Sequence, residues 1–287
     1  TSAQGLGHPA DHDGWNKIIA DQMTIISHLQ DQWDQPLTLY GHSMGTFVAT
    51  RVAQRYARKL KPILQSLVLS AGSYRPPWLY RMGLVPILFE LWRKGPLAHS
   101  KLLDWLTFGY FNNAFKPVRT PKDWISSDHA VVDAYIADPF AGHPISNQFW
   151  FDWMHGLAEV HEPESMAQID SELPIYLFSG GQDPVGKQGE YVVSLQKALK
   201  RAGSIDVTYK LYANGRHEMI NEPEKEQVFD DLLVWWTPAS RAATAKRTGR
   251  PTTSTVTVTA PGASTSACVA GASAAFFAGG CWWAPGP

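Results

Sequence analysis

One pentapeptide constrains the fold more than any other feature of the chain: Gly41-His42-Ser43-Met44-Gly45. It follows a short apolar run, Leu37–Tyr40, and it opens a helical pattern from Thr46 to about Leu60. A short continuous apolar run reads as a strand buried on both faces. G-x-S-x-G between a buried strand and a helix is the setting of a nucleophile elbow. The glycines let strand and helix approach without Cβ clashes. The turn would hold Ser43 above the sheet edge, with a helix N-terminus aimed at the reacting centre. The competing reading is an ordinary Gly/Ser turn. The motif alone arises by chance in roughly one chain in ten of this length, so the flanking pattern carries the weight.

That pattern repeats. Gly14–Asp34 predicts an amphipathic helix, because Trp15, Ile18, Ile19, Met23, Ile26 and Leu29 recur at helical spacing. Leu64–Leu69 and Pro174–Ser179 read as further buried strands, and Ile205–Tyr212 alternates as a strand. Gly186–Arg201 and Glu222–Trp236 read as helices, the second with Asn221 and Glu224 placed as a capping box. Between them, Ser73 to Ile169 is aromatic-rich and broken by Pro and Gly, which predicts several short helices. The fold class expected is α/β: a mostly parallel sheet with helices on both faces and a helical cap inserted. The expected divisions are 1–72 and 170–237 for the core, 73–169 for the cap and 238–287 for a low-complexity, disordered tail. In that tail 37 of 50 residues are Ala, Gly, Ser, Thr or Pro, and none is acidic.

Two residues stand where partners for Ser43 are needed. A serine hydroxyl requires a base oriented by a third group. Asp183 follows the strand Pro174–Ser179 and is either the orienting acid or a turn residue before Pro184. His217 follows the strand ending at Tyr212, alone among ten histidines in following a strand beyond Asp183. Its competing reading is a surface histidine near a helix. His42 reads as packed within the elbow. His155 and His161 read as structural or solvent-facing. The insertion's aromatics either form a small core of their own or line an acyl pocket; Trp78, Phe149, Trp150 and Trp153 are the candidates for lining.

Charge and cysteine content remove other classes. The net charge of −1 offers no basic face for nucleic acid. Both cysteines, Cys268 and Cys281, fall in the tail, so residues 1–237 hold no thiol nucleophile or zinc ribbon. A Cys268–Cys281 bridge is conceivable. There is no H-E-x-x-H, no G-x-G-x-x-G and no P-loop. No apolar run reaches the ~18 residues of a membrane span.

From about Gly5 to Trp236 the chain resembles α/β-hydrolases of the serine aminopeptidase-like group, which includes monoacylglycerol lipases and bacterial lysophospholipases. The resemblance rests on LTLYGHSMGTFVA, GGQDPVG and GRHEMINE in that order, with DGWNKIIAD before the elbow. FNNAFKPVRTPKDWISSD and DPFAG resemble bacterial lysophospholipase-like caps. It implies Ser43 as nucleophile, Asp183 as acid, His217 as general base and the Met44 N–H as one oxyanion donor. It implies a small lipid ester as substrate, no cofactor and no metal, with peripheral membrane contact through the cap. The cytoplasm is the expected location. An aminopeptidase is the alternative, with Glu159, Glu162 and Glu164 available to hold an amine. A catalytically silent fragment is the other.

The resemblance also implies elements that the chain lacks. Family members carry an H-G loop that supplies a second oxyanion donor, and here the one His-Gly pair is His155-Gly156. Four strands are predicted where the family sheet has eight. The expectation is an N-terminally truncated hydrolase of uncertain activity, with Leu37–Tyr40 left as an exposed edge.

Overall fold

A computed structural model describes residues 5–33, 35–237 and 270–271. The predicted strands form a parallel sheet: β1 (Leu37–His42), β2 (Leu64–Ser70), β3 (Ile175–Gly180) and β4 (Val207–Tyr212). A two-residue strand, β5 (Ala270–Gly271), pairs with Leu39 and Tyr40, and the sheet order is β4-β3-β2-β1-β5. That pairing meets part of the β1 edge expected to stand open. The rest of the tail, Cys268 and Cys281 included, lies outside the described residues.

Ten α-helices surround the sheet among the described residues. They are α1 (Gly14–Gln32), α2 (Met44–Arg55), α3 (Ala57–Leu60), α4 (Pro77–Lys94), α5 (Lys101–Phe108), α6 (His129–Ala137), α7 (Asn147–Val160), α8 (Pro163–Met166), α9 (Glu190–Arg201) and α10 (Lys225–Trp236). Strand residues alternate between two faces, and each face has its own core. Leu39, Leu67, Leu69, Ile175 and Leu177 pack in one cluster with residues of α1, α2 and α9. Val68, Tyr176, Phe178 and Tyr212 pack on the other side with Val228 and Trp235 of α10.

The cap, α4 to α8, is not a separate body. Its inner helix, α7, shares the main core through Phe149, Trp150, Trp153 and Leu157. A Cβ on Gly156 would sit 2.3 Å from the Trp15 ring, so α7 and α1 touch where no side chain fits between them. Asp152 of α7 accepts the Gly14 N–H at 2.7 Å, placing a carboxylate at the α1 N-terminus. A second, smaller core of Phe111, Trp124 and Ile125 belongs to the cap itself.

Two local expectations change. The capping box at Asn221 does not form. The Asn221 side chain donates to Glu218 at 2.8 Å, within a 3-10 turn Met219–Asn221, and α10 begins only at Lys225. Likewise α9 starts at Glu190 rather than Gly186, because Lys187, Gln188 and Gly189 take positive φ and cannot be helical.

Candidate active site

The elbow forms as its spacing requires. Ser43 has φ 52 and ψ −120, a strained conformation outside both helix and strand. Its N–H donates to the Ser70 carbonyl at 3.0 Å, and its own carbonyl accepts from Thr46 Oγ1 at 2.7 Å. A Cβ on Gly41 would lie 2.3 Å from the Gly45 carbonyl oxygen, so only glycine permits this crossing of β1 over α2. Met44 is the first residue of α2, so its N–H has no intrahelical acceptor.

Asp183 and His217 meet beyond the tips of β3 and β4. His217 Nδ1 lies 3.0 Å from Asp183 Oδ2. Asp183 is fully buried and its carboxylate is held from two more sides, by Ser179 Oγ at 3.2 Å and the Val185 N–H at 2.9 Å. At Gly180 a Cβ would fall 2.1 Å from the carbonyl oxygens of Gly215 and Arg216. The loop carrying His217 therefore rests directly on the strand that presents Asp183. Buried Glu222 fastens that loop to the cap. It accepts the N–H groups of Arg216 and Ser127, each at 3.0 Å, and the Ser127 hydroxyl.

Burial disfavours the imidazolium of His217, yet the charge and hydrogen bond of Asp183 outweigh it, and the net shift is upward from 6.5. His42 goes the other way. Burial, and then the neighbouring His217, push it well below 6.5, so it stays neutral. Its ring lies 4.9 Å from that of His217, and its Nδ1 is 3.1 Å from Ser70 Oγ. As a general base His217 would have to be neutral to accept a proton, so its shift would set a pH limit. The acid limb of kcat/KM is expected above pH 6.5, with activity rising as His217 deprotonates. A pH–rate profile on a soluble ester checks this; a limb well below 6.5 would remove the Asp183 pairing from the account.

Ser43 and His217 line one cavity of about 440 Å³, between the sheet tips and the cap. Its wall includes Phe47, Leu79, Ile87, Leu103, Trp150 and Trp153. Two of the four aromatic candidates thus reach the cavity. The other two do not: Trp78 is 56% exposed on the outside of α4, and Phe149 turns into the main core. On α7, Phe149 and Trp150 project about 100° apart, and Trp153 projects between them. Trp124 was not anticipated. It lines the cavity and its ring lies 5.1 Å from that of His217, screening the imidazole from water. The KDWISSD segment held the signal, but no periodicity marks which of its residues faces inward.

The remaining candidates separate clearly. His161 is buried among Phe47, Tyr74 and Tyr80 and is pushed down to about 3 by that burial. His155 is exposed, and the His155-Gly156 pair lies within α7 against Trp15 rather than on an oxyanion loop. Glu159 and Glu162 are paired with Arg51 and Arg81, and with Glu164 they stay out of the cavity wall. Among the described residues, no group of three or more His, Cys, Asp or Glu is placed to hold a metal.

Comparison with known proteins places the chain in a family. Residues 2–224 match the family model of the serine aminopeptidases, S33. The chain belongs to this α/β-hydrolase family. A monoacylglycerol lipase of Mycolicibacterium smegmatis is 28% identical to this S33 hydrolase over 222 residues, 77% of this chain and 69% of the lipase. A thermostable carboxyl esterase of Bacillus coagulans, solved with glycerol, is 26% identical, with a TM-score of 0.64 over 80% of this chain and 70% of that one. A lipase in an open form is 24% identical with a TM-score of 0.69, over 85% and 76%, and shares the fold. The S33 chain is an α/β hydrolase whose similar relatives include lipases and esterases.

Proposed function

We propose that this S33 hydrolase cleaves carboxylic esters of lipid type, such as a monoacylglycerol or a lysophospholipid, through an acyl-enzyme on Ser43. One observation carries the reading: the elbow serine and the Asp183-paired His217 open into the same largely apolar cavity. His217 takes the Ser43 proton as the hydroxyl attacks the ester carbonyl. Asp183 holds the imidazole with Nδ1–H toward itself, leaving Nε2 free to act as base, and stabilises the imidazolium that forms. The Met44 N–H, at the N-terminus of α2, donates to the developing oxyanion. His217 then returns the proton to the leaving alcohol, and water repeats the sequence to free the fatty acid.

The wall favours an apolar acyl group over a peptide. A cavity of about 440 Å³ lies within the usual range for small-molecule sites. The acidic side chains suggested for holding a substrate amine are engaged or remote, which weakens the aminopeptidase alternative. A series of p-nitrophenyl esters tests the reading. kcat/KM is expected to rise from acetyl to octanoyl or decanoyl by about tenfold or more, as each buried methylene adds ~0.8 kcal/mol until the cavity is filled. A clear preference for acetyl would contradict the lipid assignment.

A further inference from the structure

A positive charge stands in the cavity wall close to the imidazole of His217. Lys122, on the cap segment between α5 and α6, lines the cavity. Its Nζ lies 5.9 Å from the ring centres of Phe108 and Tyr135 and 6.0 Å from that of Trp124. All three rings also line the cavity, so the ammonium sits among them. Among the described residues it forms no ion pair. Asp104 of α5 lines the same wall and attracts it without contact. Burial pulls the Lys122 ammonium below the ordinary lysine value, and Asp104 restores this only in part. A charge held half out of water with no carboxylate against it gains strongly from an anion brought to it. Arg75, the other Arg or Lys of the wall, is instead stacked at 4.7 Å over Tyr191, which is not part of the lining.

Chemistry says which half of the substrate meets this charge, given the ester-cleaving reading of Ser43 and His217 on which the assignment rests. His217 must reach the leaving oxygen to protonate it, so the alcohol half of the ester lies against His217 and its surroundings. Trp124 comes next, its ring 5.1 Å from the imidazole, and Lys122 stands over that same ring. In a phosphorylated glycerol ester one glycerol unit, roughly 6 Å when extended, separates the ester oxygen from phosphorus. That length matches the step from His217 past Trp124 toward Nζ. Plain glycerol offers no charge there. A phosphate monoester would bring up to two negative charges toward Asp104 as well as Lys122. A zwitterionic phosphodiester brings one, with an ammonium for Asp104 to face.

We propose that Lys122 is a specificity residue that binds the phosphate of a zwitterionic phosphodiester head group, with Asp104 facing the ammonium, so that the site favours phosphocholine or phosphoethanolamine esters over plain glycerol esters. The octanoyl esters of glycerophosphocholine and of glycerol, both kept below micelle formation, are compared by kcat/KM. The ratio is expected to favour the phosphocholine ester by about tenfold or more. Lys122→Met is expected to lower that ratio by about tenfold or more, and Lys122→Arg, which keeps the charge, to retain most of it. Asp104→Asn should narrow the difference between the phosphocholine ester and a phosphoglycerol ester, which lacks the ammonium. A ratio cancels general damage to the site, and a thermal melt checks that each variant folds. A parent ratio near one or below it, or a ratio that Lys122→Met leaves unchanged, would overturn the proposal. Titrating the phosphocholine ester into Ser43→Ala, with and without Lys122→Met, measures binding apart from turnover. If the parent chain cleaves neither ester, the Ser43 reading fails by itself. Binding that Lys122→Met weakens about tenfold would still support the subsite, and equal binding by both variants, or none, would overturn it.

Discussion

Replacing Ser43 with Ala is expected to lower kcat for ester hydrolysis by roughly 10⁶-fold, about 8 kcal/mol of barrier. The size follows from where the hydroxyl sits. In the proposed mechanism Ser43 is the acyl acceptor, and the variant loses the oxygen that would form the acyl-enzyme. The backbone at φ 52 is no easier for alanine than for serine, and the hydrogen bonds that hold the turn use the Ser43 backbone. The variant should therefore unfold within about 0.5 kcal/mol of the parent, as a substitution that breaks no packing or cap does. Steady-state kinetics together with a thermal melt separate lost chemistry from lost fold.

Asp183→Asn is expected to have the next largest effect, roughly 10⁴-fold in kcat. Asp183 Oδ2 faces Nδ1 of His217 at 3.0 Å and also accepts from Ser179. An amide nitrogen turned toward Nδ1 would favour the tautomer with its proton on Nε2, the nitrogen that must be unprotonated to serve as base. Turning the amide over leaves its nitrogen facing the Val185 N–H, a buried clash of donors. The change also removes the negative charge that raises the His217 pKa. With burial then opposed by the weaker pull of Glu218 alone, the acid limb of the residual activity should move to lower pH. A smaller loss with the limb unmoved would mean that Asp183 does not control His217.

The parts of this site that the sequence displayed are those set by local pattern. The apolar run before Gly41 and the helix after Gly45 make an elbow wherever they occur together, and Ser43 follows from them. Asp183 and His217 each stand just past a strand, and parallel strands deliver their ends to one edge of the sheet. What the sequence hid depends on tertiary packing. Trp150 and Phe149 are adjacent and both aromatic, yet one reaches the cavity and the other only the core. Neighbours on a helix project about 100° apart, and α7 is seated by contacts far away in sequence, such as that of Gly156 with Trp15. Asn221 and Glu224 satisfy the pattern of a capping box, but Glu218 takes the Asn221 side chain, and Glu222 is drawn away to Arg216 and Ser127. By composition the Trp-rich insertion reads either as a small core of its own or as a pocket lining. In the structure its aromatics divide among lining, core and an outer face.

The central claim is that Ser43 is a live nucleophile activated by the buried His217–Asp183 pair. Treating the folded chain with a fluorophosphonate and locating the adduct by mass spectrometry tests it most directly. The account predicts one covalent adduct, on Ser43, absent from Ser43→Ala and strongly slowed in Asp183→Asn. No adduct on the folded chain, or an adduct that persists in Ser43→Ala, would contradict it.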